Sequence, residues 1–492
     1  MLRISVLAVI AAASLLFGVG ASERNVQLPQ PPVVTPQHGI TTLALTAALD
    51  KAGKSQYFYR SSNVPPIVHI VPGGQLRVTL ANHLPFYSHE QCAIARCMDM
   101  TNLHFHGLEV SPKFGQDDIL TMLAAPTETL KYDVHVPIDV PPGLYWYHPH
   151  PHGESDRQVM DGMSGAIVVD GIEHYVPQLR TMPERVLVLR TAQFQAKSPQ
   201  MNAMSRLVQL AGGAKCRSEN EQPDEIFNVN GAFRPSIAIA PGERQFWRIV
   251  NASADNYTDL KVDGSTMQVV ALDGMPLALH DPAHPLRSFT HIVVPPAGRV
   301  EAIVTGPPAG MQAEFRTYCV DSGPAGDPMR GQILADIAPV HDSSLHPLSD
   351  AAPSLRPIYR PVNLQHIEQT PPSFDATFTE GHHKFYINKQ LFSINQPTMA
   401  TVPTGTYVHW RVLNKTHEIH PFHIHQVHFL TYAVNGRRVG NPVWTDLMNV
   451  PLEQSIDVIL DTTATNIRGL SVFHCHILSH EDKGMMAKVR FK

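Results

Sequence analysis

The sequence predicts an all-β protein built from three tandem β-sandwich domains with Greek-key connections. Three observations predict it: turn residues scattered along a long chain, a strand motif repeated at domain-sized spacing, and histidines gathered into four short segments. The chain has 492 residues, room for roughly three domains at about 150 residues each. Its 42 prolines and 31 glycines follow no period, which excludes collagen and disfavours long helices while suiting many short strands joined by turns. Apolar residues make up 43% and charged residues 16%, so the chain is neither a disordered polyelectrolyte nor a polytopic membrane protein. Lys plus Arg (38) nearly balance Asp plus Glu (43), for a net charge of −5, which argues against a nucleic-acid partner.

The N-terminus opens on the positive stretch Met1, Leu2, Arg3, followed by an apolar run over residues 4–17 and the small residues Val19, Gly20 and Ala21. This is the layout of a secretory signal peptide over residues 1–21, too short for a spanning helix. An exported protein, periplasmic or secreted, is the expectation, with no membrane span in the mature chain. Export places the five cysteines in an oxidising compartment. The odd count leaves one thiol for another task, and Cys475, set between two histidines, fits that role. Cys92 with Cys97 and Cys216 with Cys319 form one set of disulfides for the rest; spacing leaves the connectivity open.

The repeat follows. Pro72, Gly73 and Gly74 lead into a β-rich run at 76–80 that ends at Asn82; Pro241 and Gly242 lead into 246–250 and Asn251; Pro403, Thr404 and Gly405 lead into 408–413 and Asn414. The three asparagines lie roughly 165 residues apart, the scale of a whole domain. Aromatic strands close each unit at Tyr145–His148, at Phe315–Cys319 and at Val472–Cys475. The expected division is domain 1 over 22–172, domain 2 over 173–340, a Pro/Ser/Asp-rich linker over 341–369 and domain 3 over 370–492.

Of the 28 histidines, those in four segments carry the chemistry. The segments are His104-Phe105-His106, His148-Pro149-His150, His420-Pro421-Phe422-His423-Ile424-His425, and His474-Cys475-His476 with His480 and Met485 beyond. Residues two apart on a strand share a face, so each His-x-His pair can point at one metal cluster. Two histidines, a thiolate and a distant thioether suit a blue copper site, whereas zinc more usually takes Cys-x-x-Cys pairs or histidine with a carboxylate.

These four segments resemble the copper-ligand motifs of the multicopper oxidases, the family of laccases and bacterial copper-efflux oxidases. The resemblance spans essentially the whole mature chain, and all ten histidine positions and the one cysteine position of the pattern are filled. It implies cupredoxin-like domains and four copper ions. His420, Cys475 and His480 would hold a type 1 copper with Met485 as the weak axial ligand. His104 and His423 would hold a type 2 copper. His106, His148 and His476 would hold one type 3 copper, and His150, His425 and His474 the other. Cys475 faces opposite to its neighbours on a strand, so one tripeptide would connect the type 1 site to both type 3 ions. The cluster would lie between domains 1 and 3, with domain 2 a metal-free connector.

The implied reaction takes single electrons from a small reducing substrate and reduces O2 to water, which also needs protons. Glu481, next to His480, and Asp117, or its neighbour Asp118, resemble the family's acidic residues. His428, His152, His135, His382 and His383 read as bystanders, Asp446 near Trp444 as a structural hydrogen-bonding residue, and Met486 as the alternative thioether to Met485. The 17 methionines are dispersed, although Met98, Met100, Met160 and Met163 flank the first two segments. A phenol or small aromatic donor is therefore favoured over a cuprous or other metal ion. A scaffold, a copper store and a two-domain nitrite-reductase-like protein fit the filled ligand pattern less well.

Overall fold

Residues 26–87, 98–193, 225–327, 329–348, 367 and 369–492 are described by the computed structural model. The signal-peptide segment, Cys92, Cys97, Cys216 and most of the expected linker lie outside them. Cys319 is disulfide-bonded, and Cys475 is a free, buried thiol. Among the described residues no helix is long and apolar enough to cross a membrane.

Strand formation follows directly from alternation. Ile40–Leu49 (ITTLALTAAL) buries every second side chain, which is what a strand with one solvated face requires. It pairs in parallel with Gln75–Asn82, so the chain must cross over between them. In the first sandwich a four-stranded sheet holds these two strands and packs on a five-stranded sheet that ends in Gly143–His148 and His104–His106. Leu43, Leu45, Val78 and Leu80 from one sheet share a core with Val68, Phe105, Tyr147 and Ile167 from the other. Two further pairs of sheets, one seven-stranded and one five-stranded in each, complete a middle and a C-terminal sandwich. These are the three tandem cupredoxin-like units of an all-β fold. In the last, the five-stranded sheet runs Ala400–Val402, Met486–Phe491, Gly469–Cys475, His420–Ile424, Leu447–Val450.

The repeated asparagines do the same work in each unit. Asn82 donates to the carbonyls of Asp99 and Ala124 and accepts from Leu84 N–H. Asn251 donates to those of Asn256 and Val294 and accepts from Ser253 N–H. Asn414 donates to those of Glu418 and Val450 and accepts from Thr416 N–H. All three side chains are buried, so each one satisfies three backbone groups where its strand stops. In the third unit the clamped segment leads straight into His420.

The sandwiches are fused through shared apolar cores. Leu144, Trp146 and Val168 of the first unit pack with Val186, Val250 and Ala297 of the second and Leu447 of the third. Ile119 and Leu120 meet Phe392, Val472 and Met486 along the seam between the first and third units. Two short helices reinforce that seam: Gly153 and Asp156 N–H groups, at the start of Ser155–Asp161, donate to the Asp482 carboxylate of Leu478–Asp482 at 2.8 and 3.0 Å. A clamp that satisfies this many buried groups is worth about 1–3 kcal/mol. Asn251→Ala, in the unit without a histidine segment, should lower the thermal unfolding temperature by several degrees; an unchanged transition would show that the asparagine carries no structural weight.

Candidate metal centre

The first and third sandwiches each bring two histidine segments side by side. His104 lies directly opposite His148 in the first, and His423 opposite His474 in the third. Across the seam these strands place eight imidazoles in one dry pocket: His104, His106, His148, His150, His423, His425, His474 and His476 are each at most 1% exposed. Their ring nitrogens converge into three groups close enough to share a metal ion: His104 with His106 and His423, His106 with His148 and His476, and His150 with His425 and His474. His104 and His425 also group with Asp117.

Second partners fix which nitrogen of each ring faces inward, as metal-ligating histidines require. His148 Nδ1 donates to the Pro149 carbonyl at 2.9 Å, and His423 Nδ1 to the Asp446 carbonyl at 2.7 Å. His104 Nδ1 donates to Asp117 at 3.0 Å. His474 Nδ1 lies 2.9 Å from the Cys475 carbonyl and 3.2 Å from Glu481. Their ε-nitrogens are left facing one another: His474 Nε2 is 3.1 Å from His425 Nε2 and 3.4 Å from His150 Nε2. Nε2 of His104, His148 and His423 and both nitrogens of His106 and His476 are buried with no hydrogen-bond partner. Orphaned ring nitrogens at this density cost free energy unless a cation takes the lone pair that each neutral ring offers.

A second centre lies in the third sandwich. Cys475 Sγ is 3.4 Å from His420 Nδ1 and 3.9 Å from His480 Nδ1, and the two Nδ1 atoms are 3.3 Å apart. His420 Nε2 is turned away onto Thr416 Oγ1 at 2.8 Å. Met485 is fully buried in the core that holds Cys475, while Met486 points the other way, to Ile119 and Phe392. The two thioethers are thus separated where the strand Met486–Phe491 begins, and Met485, whose carbonyl accepts from Cys475 N–H at 3.1 Å, stays on the thiol's side. Strand alternation puts Cys475 in this centre and its neighbours His474 and His476 in two groups of the other. Among the described residues the middle sandwich contributes to no such group.

Electrostatics suit a bound cation. Burial pushes His148 and His420 down to about 3 and His423 to about 4, and burial together with the neighbouring rings pushes the remaining cluster histidines well below the ordinary imidazole range. All are therefore neutral, with lone pairs available. Burial raises the Cys475 thiol, so its thiolate needs a positive partner close by. The donor set, imidazoles in one centre and imidazoles with a thiolate in the other, fits copper.

Two expected acids reach the histidine cluster. Asp117 is buried and accepts from His104, from Phe105 N–H at 3.0 Å and from Gln426 at 2.7 Å. Asp118 instead ties its own loop through Leu120 and Thr121 N–H, so Asp117 is the acid at the cluster. Glu481 lies between His150 Nδ1, at 3.4 Å, and His474 Nδ1, at 3.2 Å. Burial raises both acids above the ordinary carboxylate range. Asp446 forms a buried two-point ion pair with Arg299 of the middle sandwich, one arm at 2.8 Å. Burial would raise this carboxyl, and Arg299 overcomes that and holds it low. His428, read as a bystander, lies beside this pair, with Nε2 3.9 Å from Asp446 and Nδ1 3.1 Å from Glu109. His135, His382 and His383 are exposed and belong to none of the donor groups among the described residues.

Sequence reading missed several contributors. Asn102 accepts the His150 N–H at 2.7 Å; it lies two residues before His104, and that spacing was a usable signal. Glu418, two residues before His420, sits 3.6 Å from His480 Nε2 and 3.9 Å from His420 Nε2. It is hydrogen-bonded to Glu380 and pushed up to about 8 by burial and then by Glu380 and Asp327. No local pattern marks Arg299.

Comparison with known proteins agrees with this fold. Three multicopper oxidase family models match residues 47–174, 146–315 and 358–492. The multicopper oxidase of Staphylococcus aureus is 21% identical, covering 96% of this chain and 94% of its own length. A laccase of Bacillus stratosphericus is 25% identical over 69% of this chain and 70% of its own. The solved structure of a Campylobacter jejuni multicopper oxidase, described as a metallo-oxidase, superposes with a TM-score of 0.68 at 22% identity, covering 95% and 98% of the two chains.

A ligand that binds only the folded chain stabilises it by about 4 kcal/mol at a thousandfold excess over its dissociation constant. Copper titrated into the metal-free protein should therefore raise its unfolding temperature by several degrees, and a chelator should reverse the gain. Equal unfolding temperatures with and without copper would contradict the assignment of the orphaned imidazoles as ligands.

Proposed function

This chain belongs to the multicopper oxidase family, and from that premise we propose that it couples one-electron oxidation of a small reducing substrate at the Cys475 centre to reduction of O2 to water at the histidine cluster. The observation that carries the reading is the tripeptide His474-Cys475-His476, whose middle residue joins one centre and whose outer residues join the other. Copper, when bound, supplies one-electron transfer at the thiolate centre and four-electron reduction of O2 at the cluster. In this reading His420, Cys475, His480 and Met485 form the type 1 site. His104 and His423 form the type 2 site, and His106, His148 and His476 with His150, His425 and His474 form the type 3 pair, for four ions in all.

The chain's own groups then have defined tasks. His420 is fully buried and His480 lies nearer the surface, at 7% exposed, so in this reading the electron donor docks on the His480 side of the centre. Cys475 is covalently continuous with its chain neighbours His474 and His476, so its side chain and backbone lead from the thiolate centre to the cluster. Water formation consumes four protons for each O2, and Glu481 and Asp117, both raised by burial, can hold and release protons beside the cluster. Residues 1–21 direct export, so the reaction takes place in the periplasm or outside the cell.

Two donor classes remain in view. The laccase relative supports a phenol. A specific feature of this chain favours a cation: Glu418 sits against the outer edges of both type 1 histidines, with Glu380 and Asp327 close enough to raise its pKa. Clustered carboxyls stabilise a metal ion and repel a phenolate.

Oxygen uptake by the copper-loaded protein, measured in parallel with Cu(I) and with a phenol and corrected for uncatalysed oxidation, separates the two. The cation reading predicts faster uptake with Cu(I). It further predicts that Glu418→Gln raises the KM for Cu(I) about tenfold, or roughly 1.4 kcal/mol, with little change for the phenol. Rapid uptake with the phenol and little with Cu(I) would make the enzyme laccase-like. Silence with both at full copper occupancy would overturn the oxidase reading in favour of a scaffold or store.

A further inference from the structure

The eight cluster imidazoles are at most 1% exposed, so an ion bound among them has to pass through the protein. A cavity of about 360 Å3 opens at the seam of the first and third sandwiches, and His150, a cluster residue, forms part of its wall. Most of that wall is aliphatic or aromatic, from Ile119, Leu120, Leu123 and Phe392 among others. The exceptions are soft or aromatic donors. Three of the twelve wall residues, Met98, Met100 and Met486, are methionines, against 17 in the 492 residues of the chain, and His152 lies with them. The one wall carboxylate, Glu154, is paired with Arg157 at 2.8 Å.

We propose that this cavity is the inlet through which copper, as Cu(I), reaches the histidine cluster, with the thioethers of Met98, Met100 and Met486 as a transient binding site on the way. The chemistry selects that ion. A hydrated divalent cation needs oxygen donors to replace its water, and this apolar wall supplies none that is not already engaged. Cu(I) accepts a few soft ligands, and thioethers on mobile side chains bind it without a charge that would hold it there. The inner end of the path is His150, whose Nε2 lies 3.4 Å from that of His474, so the next donors are already those of the cluster. Met485 and Met486 lie in different apolar clusters, which gives the neighbouring thioethers separate roles. The ion changes neither oxidation state nor covalent bonding on the way in.

The proposal rests on the copper reading of the cluster, and its test separates the two. In the full-length protein, Met98→Leu/Met100→Leu keeps the wall apolar and nearly the same volume while removing two thioethers. Metal-free wild type and variant are mixed anaerobically with Cu(I), and protein-bound copper is followed with time. The variant should fill at least tenfold more slowly, while the fully loaded variant keeps the wild-type kcat and KM for O2. Ag(I), a redox-inert analogue of Cu(I), should bind the copper-loaded wild type by calorimetry and lose at least tenfold in affinity in the variant. Met100→Leu alone provides a milder version of each comparison.

Equal filling rates or equal Ag(I) affinities would overturn the inlet. A raised KM for O2 with unchanged filling would overturn it too, and would make the cavity an oxygen passage. If wild type takes up no copper at all, the copper reading fails instead, and the Ag(I) comparison still decides whether the thioethers form a site.

Discussion

Eight neutral imidazoles brought together in a dry pocket are the constraint around which this molecule is built. Each ring nitrogen without a partner carries a desolvation cost of about 1–3 kcal/mol, and the unpaired ones here include Nδ1 of His106 and both nitrogens of His476. An interior that accumulates such groups is stable only if something offsets them, and a bound cation does so. The remaining architecture serves the convergence. Strand register sets His104 against His148 and His423 against His474. Hydrogen bonds from the outer ring nitrogens turn the inner ones toward a common point, and the two short helices lock the seam where the halves meet.

The middle sandwich gains a role from this view. It contributes to no donor group among the described residues, yet its Arg299 supplies the charge that keeps Asp446 ionised in the interior. The carbonyl of Asp446 holds His423, and its carboxylate lies 3.4 Å from His106. Arg299 also donates to the Leu144 carbonyl of the first sandwich at 3.2 Å, next to the apolar core shared by all three units. The connector is thus also an electrostatic brace for ligands it does not touch.

Much of the fold and of the site could be read locally because the physics that sets them is local. A period of two fixes the face of each His-x-His pair, and the asparagine ending a strand marks each unit by the job it does there. Met485, five residues beyond His480, is the thioether that shares a core with Cys475, while Met486 does not. What could not be read depends on distant partners. Arg299 and Asp446 are 147 residues apart, and nothing near either predicts their pairing. The choice between Asp117 and Asp118 turned on which one the loop points inward, and Glu418 gained meaning only when the fold set it against His420 and His480. Asp446 is a structural residue as expected, but as an ion pair rather than a simple hydrogen bond.

The central claim is that the thiolate centre feeds the histidine cluster through Cys475, and the measurement that tests it most directly is donor oxidation by copper-loaded Cys475→Ser, with bound copper counted on the same sample. The account predicts that the variant folds, loses one copper ion per chain while the cluster stays filled, and oxidises the donor at least a thousandfold more slowly. Full activity in a variant lacking that sulfur would contradict it.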